Sequence, residues 1–379
     1  MTGQRQGRPC LVAVAGDPGG AGAVAPVIAM LLREGKARVA PYAYLEACHT
    51  WKEQGIPFTP LPDPLSPAMA ADILRREGAG ALLSGTSAPP HVAEKLLIAA
   101  AKSQGIPSLS VLDFWSNYRQ RWSNASGELA FLPDRIAVMD VQAQTDMAAE
   151  GFDRSRLVVT GQPAYDSLAA MRESFTAGKR TRVRHALGVG DRERLVVFAS
   201  QPLSLAPPGG EDRGYTERTA IPLVAGALDR ISAETGERIV LAIRPHPKED
   251  AGSFAGYTGE KARVIVAARG DPRELVLAAD LVLGMTSALL VEACRLGGVV
   301  GSIQPGLAGP DLLPTDALGC SLGVYAAEDI KPAIQKLLLD PAVREGLRGR
   351  AAPAAPAGAT RRVADLVYRM LGIGVLERG

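Results

Sequence analysis

One stretch near the start of the chain decides the fold class: Leu11-Val-Ala-Val-Ala15, followed at once by Gly16-Asp-Pro-Gly-Gly20. The first five residues are all apolar, which is typical of a strand buried on both faces of a parallel sheet. The glycine-rich turn leads into a helical pattern between residues 24 and 33. This succession of buried strand, tight turn and helix predicts the opening unit of a doubly wound α/β domain.

The same unit recurs along the chain in two series. The first contains further strands at 37–43, 81–84, 107–112, 135–139 and 157–160, with helices at 91–104 and 141–150. After a polar, basic helical segment, the second contains strands at 195–200, 238–243, 262–267, 281–284 and 299–303, with helices at 221–235, 272–279 and 287–296. We therefore predict an α/β protein with two doubly wound, Rossmann-like domains that face an interdomain cleft.

The composition of the segments places the domain boundaries. We expect a first domain over residues 1–165, a linker over 166–190, a second domain over 191–350 and a C-terminal segment over 351–379. The C-terminal segment opens with an Ala/Pro spacer at 351–358, and its amphipathic helix at 361–371 carries Val363, Leu366, Val367 and Met370 on one face. We expect this helix to pack back onto a domain, with partner or membrane binding as the alternative.

Charge and cysteine content exclude several classes of protein. The 379 residues include 42 Lys+Arg and 40 Asp+Glu, a net charge of +2, so no basic footprint for nucleic acid covers the whole chain. The four cysteines form no CxxC pair, which predicts free thiols and no structural zinc. No apolar run approaches about 18 residues. We expect a cytoplasmic protein; contact with a membrane surface and a homodimeric state stay open.

Two turns of the predicted first domain carry candidate ligand-binding groups. Gly16, Gly19 and Gly20 would let the backbone approach a ligand beside the first strand, where Asp17 offers a carboxylate. Thr86 and Ser87 follow another strand and could bind a ligand through their hydroxyls. The alternatives are turn glycines required by a tight crossover and hydroxyls that cap a helix.

A third segment combines a carboxylate with an unusual density of aromatic, amide and arginine side chains. Asp113 follows a buried strand directly, and an aromatic and polar cluster comes next: Trp115, Asn117, Tyr118, Arg119 and Arg121. Because aromatic residues make up only 5% of the chain, we predict that this cluster forms the wall of a ligand site. Asp113 is then a candidate general base, and Arg119 or Arg121 a candidate anion contact. The alternative is a loop whose aromatic residues fill its own core.

The predicted second domain offers an anion-binding corner. Arg244, His246 and Lys248 lie within five residues at a strand end and suit a diphosphate. Thr286 and Ser287 open a helix whose N-terminal amides would seat a phosphate. Glu292, further along that helix, could reach the hydroxyls of a ribose. An ordinary capped helix is the alternative.

Together these features resemble the GT-B-type glycosyltransferases and the structurally related UDP-GlcNAc 2-epimerases. Residues 16–20 look like the superfamily's acceptor-side glycine loop, and Arg244-Pro-His246-Pro is similar to a strand-end motif in transferases of surface polymers. Thr286 and Ser287 with Glu292 are similar to its donor signature, in which hydroxyls and amides hold the diphosphate and the acid binds ribose. The resemblance implies an acceptor-side first domain, a nucleotide-sugar-binding second domain and a C-terminal helix that crosses back to the first.

The resemblance implies a glycosyltransferase that moves a sugar from a nucleotide-sugar donor to a surface-polysaccharide or glycoconjugate acceptor. Asp113 or Asp17 would be the base, and the partners would be the nucleotide sugar and a glycan or lipid-linked acceptor, with no cofactor. No Asp-x-Asp motif occurs, so a metal is not required. The alternatives are a nucleotide-sugar 2-epimerase, a CDP-alcohol phosphotransferase and a non-catalytic sugar-nucleotide-binding module.

Overall fold

The computed structural model describes residues 8–62, 64–87, 91–205, 212–351 and 358–374. The chain divides into two compact units. Unit 1 comprises Met1–Asp166 and Ala355–Gly379, and unit 2 comprises Ser167–Ala354.

Unit 1 is built on parallel strands. These are β1 (Cys10–Ala15), β2 (Arg38–Ala43), β3 (Thr59–Pro60), β4 (Ala79–Ser84), β5 (Ser108–Val111), β6 (Arg135–Val138) and β7 (Leu157–Val159). They form a sheet in the order β3-β2-β1-β4-β5-β6-β7. The helices between them are α1 (Pro18–Glu34), α2 (Glu46–Glu53), α3 (Pro67–Arg76), α4 (Ala93–Ser103) and α5 (Val141–Ala149). The direction of winding reverses between β1 and β4, which is where ligands of doubly wound sheets bind.

The local sequence explains how β1 passes into α1. All residues of β1 are buried, and Leu11 packs in one core with Ile28 and Leu31 of α1. Pro18 stands at the first position of α1, where a missing N–H costs nothing, and Gly35 ends the helix in a left-handed conformation with φ 62°.

Unit 2 repeats the architecture. Its strands are β8 (Glu193–Ala199), β9 (Arg238–Arg244), β10 (Arg263–Val266), β11 (Leu281–Gly284), β12 (Val300–Ile303) and β13 (Leu322–Val324). They form a parallel sheet in the order β10-β9-β8-β11-β12-β13, with its switch point between β8 and β11. Its helices are α6 (Leu168–Ser174), α7 (Ala177–Ala186), α8 (Glu217–Thr235), α9 (Pro272–Ala278), α10 (Ala288–Arg295), α11 (Pro314–Ala317), α12 (Ile330–Leu339) and α13 (Pro341–Ala351). The predicted fold class of two doubly wound domains is confirmed.

The segment at 166–190, predicted as a linker, is folded into unit 2 from Ser167 onward. Its helix α7 is fixed by Arg184, which is 1% exposed. The guanidinium of Arg184 donates to the carbonyl of Ala278 at 3.2 Å and to the carboxylate of Asp280 at 3.1 Å. A basic segment that looks like a solvated linker in sequence is therefore attached to unit 2 through the buried Arg184, and the more exposed Arg180 pairs with the same Asp280 carboxylate at 2.8 Å.

The last helix, α14 (Ala359–Met370), belongs to unit 1. Val363, Val367 and Tyr368 are buried in the unit 1 core, which is the predicted return to the first domain. The carboxylate of Asp166 accepts hydrogen bonds from the backbone N–H groups of residues 358, 359 and 360, at 3.0, 3.0 and 2.7 Å. Of the predicted Ala/Pro spacer, residues 352–357 lie outside the described part of the chain.

The described residues also bear on the predictions about thiols, membrane spans and metal sites. The four cysteines are free thiols, as predicted. Within the described ranges, no helix combines the length and the apolar character needed to cross a bilayer. Over the same ranges, no three His, Cys, Asp or Glu side chains are grouped so that they could hold a metal ion.

Candidate functional site

The carboxyl edge of the unit 1 sheet brings together the three turns that the sequence singled out. A side chain at Gly19 would place its Cβ 2.2 Å from Oδ2 of Asp113, and one at Gly20 would come within 2.5 Å of the carbonyl oxygen of Thr86. Both distances are shorter than any real Cβ contact, so only glycine allows the turn after β1 to lie against the turns after β4 and β5. The glycine loop, Thr86 and Asp113, which the sequence singled out separately, are therefore grouped within unit 1.

Asp113 is held firmly at this edge. Its Oδ1 accepts a hydrogen bond from Oγ1 of Thr86 at 2.6 Å and lies 2.7 Å from Nη2 of Arg121. The Arg121 side chain is 6% exposed and that of Asp113 is 16% exposed, so the ion pair is largely withdrawn from water. An ionised carboxylate paired in this way has a fixed direction and can accept a proton from a hydroxyl placed beside it.

Asp17 occupies the boundary between β1 and α1. Its backbone is extended and its side chain does not cap the helix. Its backbone N–H instead donates to Oγ of Ser87 at 3.1 Å, which fastens the first turn to the turn after β4. Asp17 is 8% exposed, so its carboxylate, like that of Asp113, lies at the edge of the unit 1 sheet and largely out of water.

Sequence reasoning missed a third carboxylate of unit 1, Glu94, in the first turn of α4. Ser87 donates to its Oε1 at 2.7 Å, and the Tyr44 hydroxyl donates to its Oε2. Burial raises the pKa of the Glu94 carboxyl, against the two hydroxyl hydrogen bonds that favour its charged form. Nothing local in the sequence marks Glu94, because Tyr44 lies fifty residues earlier.

The aromatic segment after Asp113 has a different role from the one predicted. Trp115 and Tyr118 are buried, and Nε1 of Trp115 donates to Oδ2 of Asp140 at 2.8 Å. The Arg119 guanidinium donates to backbone carbonyls of residues 127 and 150. Of the five residues named in the cluster, Asn117 is the exposed one, in a left-handed conformation with φ 55°. We correct the predicted ligand wall to a self-packed loop that supports Asp113 and Arg121.

At the carboxyl edge of unit 2, Thr286 and Ser287 open α10 as predicted. The Ser287 hydroxyl caps the helix by accepting the N–H of Leu289 at 3.3 Å. The backbone N–H of Thr286 donates to Oε1 of Gln201 at 2.8 Å, a contact from the end of β8 that sequence reasoning missed. Both residues are nearly buried, at 6% and 9% exposure.

The predicted anion corner after β9 is a rigid turn. Nη1 of Arg244 donates to the carbonyls of residues 267 and 269, at 2.9 and 3.0 Å. Nδ1 of His246 accepts the N–H of Lys248 at 3.1 Å, so the neutral ring carries its proton on Nε2. Glu249 accepts the N–H of His246 at 2.7 Å and the hydroxyl of Ser200 at 2.9 Å, and burial raises the pKa of its carboxyl. The turn therefore presents its basic groups from a fixed backbone.

Glu292 is already paired. Nε and Nη2 of Arg273, from α9, lie 2.7 and 3.1 Å from its two carboxylate oxygens. A ribose could share this carboxylate only alongside the guanidinium. The two-point contact thus joins α9 to α10, a role that the sequence did not predict.

Solved structures share this architecture. The chain is similar to the UDP-GlcNAc 2-epimerase of Neisseria meningitidis bound to UDP-GlcNAc, with 14% identity, TM-score 0.69, and 95% of this chain and 100% of that chain covered. It is similar to MnaA of S. aureus in a co-structure with UDP, with 14% identity, TM-score 0.71, and 98% and 99% covered. It is similar to MurG of Acinetobacter baumannii, with 14% identity, TM-score 0.60, and 95% of this chain and 100% of that chain covered.

At these identities the likeness concerns the fold. No protein-family model matches the sequence. No curated protein matches it either. The fold is the GT-B-type arrangement of two Rossmann-like units that the epimerases and MurG have, and the resemblance predicted from the sequence is confirmed at that level.

Proposed function

We propose that this protein is a glycosyltransferase that moves a sugar from a nucleotide-sugar donor to a hydroxyl of a glycan or lipid-linked acceptor. The observation that carries the proposal is the Asp113 carboxylate, fixed by Thr86 and Arg121 beside the glycine turn of unit 1. The fold supports it, because proteins of the same architecture have been solved with UDP-GlcNAc or UDP bound.

In this proposal the donor binds at the carboxyl edge of unit 2. The diphosphate contacts the basic turn that carries His246 and Lys248 and the backbone amides at the start of α10. Arg244 acts by holding that turn, since its guanidinium is bound to backbone carbonyls. The Lys248 ammonium, the Nε2–H of His246 and the amides of α10 stabilise the charge that develops on the leaving diphosphate.

The acceptor hydroxyl binds at the carboxyl edge of unit 1. As its oxygen bonds to the anomeric carbon of the donor sugar, the bond from that carbon to the phosphate oxygen breaks, and the hydroxyl proton passes to Asp113. Asp17 is the second candidate for this base. The step balances with no cofactor, because both the sugar and the leaving group come from the donor.

A nucleotide-sugar 2-epimerase is the second candidate function. The TM-scores favour it, 0.69 for the UDP-GlcNAc 2-epimerase of Neisseria meningitidis against 0.60 for MurG. That reaction requires removal of a proton from carbon, which is far less acidic than a hydroxyl. Taking a proton from a hydroxyl is the easier task, and this difference favours the transferase.

Thermal shift with UDP, CMP, CDP, GDP and their sugar conjugates tests the donor site. We expect one nucleotide family to raise Tm, since a ligand at a hundred times its Kd stabilises by about 2.7 kcal/mol. Lys248→Ala should reduce that shift, while Lys261→Ala, a second exposed lysine of unit 2, should leave it unchanged. Absence of any shift would refute the donor site.

Product analysis then separates the two candidate functions. Incubation of the bound nucleotide sugar with protein alone should leave the donor sugar unchanged in configuration. Conversion of the donor to its 2-epimer without acceptor would replace the transferase with the epimerase. Tight binding with no turnover under any acceptor would indicate a binding module.

A further inference from the structure

We propose that Glu94 is a positioning residue that holds the turn after β1 in its working conformation. The proposal rests on the proposed function in one respect, namely that Asp17 and Asp113 lie where the chemistry occurs. Glu94 itself is 5% exposed and is assigned no contact with a substrate.

The surroundings of Glu94 hold its carboxyl group in one orientation. Each of its oxygens accepts a hydroxyl hydrogen bond, one from Ser87 and one from Tyr44. Glu94 is the second residue of α4, where the positive end of the helix dipole stabilises negative charge. A buried carboxylate that accepts on both sides fixes the direction in which each hydroxyl points.

Two contacts carry this orientation to the turn after β1. The hydroxyl proton of Ser87 is directed to Glu94, which leaves its oxygen to accept the backbone N–H of Asp17 at 3.1 Å. The ring of Tyr44 covers Gly16 so closely that a Cβ there would fall 2.3 Å from Cζ of the ring. Glu94 therefore holds both Gly16 and Asp17, each through a different side chain.

The turn in question also borders Asp113. Gly19, three residues beyond Gly16, lies against Oδ2 of Asp113 with no room for a Cβ. A shift of this turn therefore displaces Asp17 and also moves the Gly19 backbone that lies against Asp113. Since small displacements of reacting groups lower the rate more than they lower binding, we expect the effect in kcat.

The chain offers a matched control in Tyr42, two residues before Tyr44. Tyr42 is also buried, and its hydroxyl donates to a glutamate, Glu77, at 2.6 Å. It lies within β2 and contacts no part of the turn after β1 in the bonds described. Each of the substitutions Tyr42→Phe and Tyr44→Phe therefore removes one tyrosine hydroxyl that donates to a glutamate of unit 1.

The kinetic experiment compares these variants in the full chain. We expect Tyr44→Phe and Glu94→Gln to lower kcat at least tenfold while KM for the nucleotide sugar, bound on unit 2, stays within twofold. Tyr42→Phe should change neither. Equal kcat values for Tyr42→Phe and Tyr44→Phe would overturn the proposal, and so would a change confined to KM. If Glu94→Gln fails to fold, Ser87→Ala takes its place beside Tyr44→Phe.

Amide hydrogen exchange decides the same question without turnover. Peptides covering residues 16–22 should exchange at least several-fold faster in Tyr44→Phe than in wild type, and at the wild-type rate in Tyr42→Phe. Unchanged exchange in Tyr44→Phe would refute the positioning role whatever the reaction is. Faster exchange in a protein that turns over no nucleotide sugar would instead retain the positioning role and refute the proposed function.

Discussion

Asp113 is the residue on which the proposed chemistry depends most directly. Asp113→Asn keeps the size of the side chain and its contact with Thr86 but removes the base, so we expect kcat to fall by about 10²–10⁴. Asp134→Asn is the control. Asp134 lies just before β6, at the amino ends of the strands in the same sheet, and its carboxylate accepts two hydrogen bonds from Ser108. Steady-state rates with saturating donor and acceptor measure the effect. Full turnover by the Asp113→Asn variant would show that Asp113 is not the base and would leave Asp17 or another residue in that role.

A second prediction at the scale of one residue concerns Asp316 of unit 2. Burial, together with the neighbouring Asp311 carboxylate, raises the pKa of Asp316 from 3.8 to about 7. Between these values the unfolded chain has already lost the proton that the folded protein keeps, so the stability contributed by this group is complete below pH 4 and is lost as the pH rises to 7. Asp316→Asn should therefore gain stability over wild type as the pH increases from 4 to 7, and then hold a constant difference.

Urea unfolding followed by circular dichroism at several pH values measures this difference. The control is Asp229→Asn, where the sign is opposite. Burial works against ionisation of Asp229, but hydrogen bonds from the N–H groups of residues 260–262 outweigh it and lower its pKa. Its stabilisation is present above its ordinary pKa and lost in acid. A difference between Asp316→Asn and wild type that does not vary with pH would contradict the assignment.

At the scale of the element, the first two turns of α1 offer a matched pair of glycines. Gly20→Ala would force a Cβ to 2.5 Å from the backbone of Thr86, so we expect a loss of about 1–3 kcal/mol. Gly22→Ala in the same helix meets no atom within 4 Å and should stabilise α1 by about 0.5–1 kcal/mol, through its higher helix propensity. Tryptophan fluorescence during urea unfolding reports on this unit, because all three tryptophans lie in it. Equal midpoints for the two variants would show that the packing at Gly20 is not what requires glycine.

The strands that the sequence predicted best are those formed by uninterrupted apolar runs. The stretch at 11–15 is β1, 81–84 lies in β4, and 281–284 is β11. The sequence did not reveal β3 and β13, since they are two and three residues long and lie at sheet edges, where the apolar pattern weakens. It also took α6 and α7 for a linker, because the buried residue of α7 is an arginine, Arg184, and the helix has no apolar stripe.

The candidate site was predictable where it depends on strand ends and unpredictable where it depends on contacts across the sheet. Strand-end logic located Asp17, Asp113 and Thr286. The pairs Thr86–Asp113 and Arg273–Glu292 join different elements, and no residue spacing in the sequence predicts them. Aromatic density after Asp113 was informative about position but not about role, because buried aromatic residues and ligand-binding ones have the same composition.

At the scale of the whole molecule, Asp166 fixes the place where the chain returns to unit 1. Its carboxylate accepts the first three N–H groups of the α14 region, so Asp166→Ala should destabilise unit 1 by about 1–3 kcal/mol. Urea unfolding followed by tryptophan fluorescence should show the loss, since the tryptophans belong to that unit. Hydrogen exchange in the helices of unit 2 should remain at wild-type rates. A loss shared equally by the two units would contradict a role confined to unit 1.

The return of α14 also sets the order in which the units can be completed during synthesis. Unit 2 is one continuous stretch of chain, whereas the core of unit 1 includes Val363, Val367 and Tyr368. The apolar surface of α1 that these residues cover stays open on the ribosome until α14 has emerged. The unit whose synthesis begins first is therefore the unit that finishes folding last, a reversal of the usual N-terminal-first order.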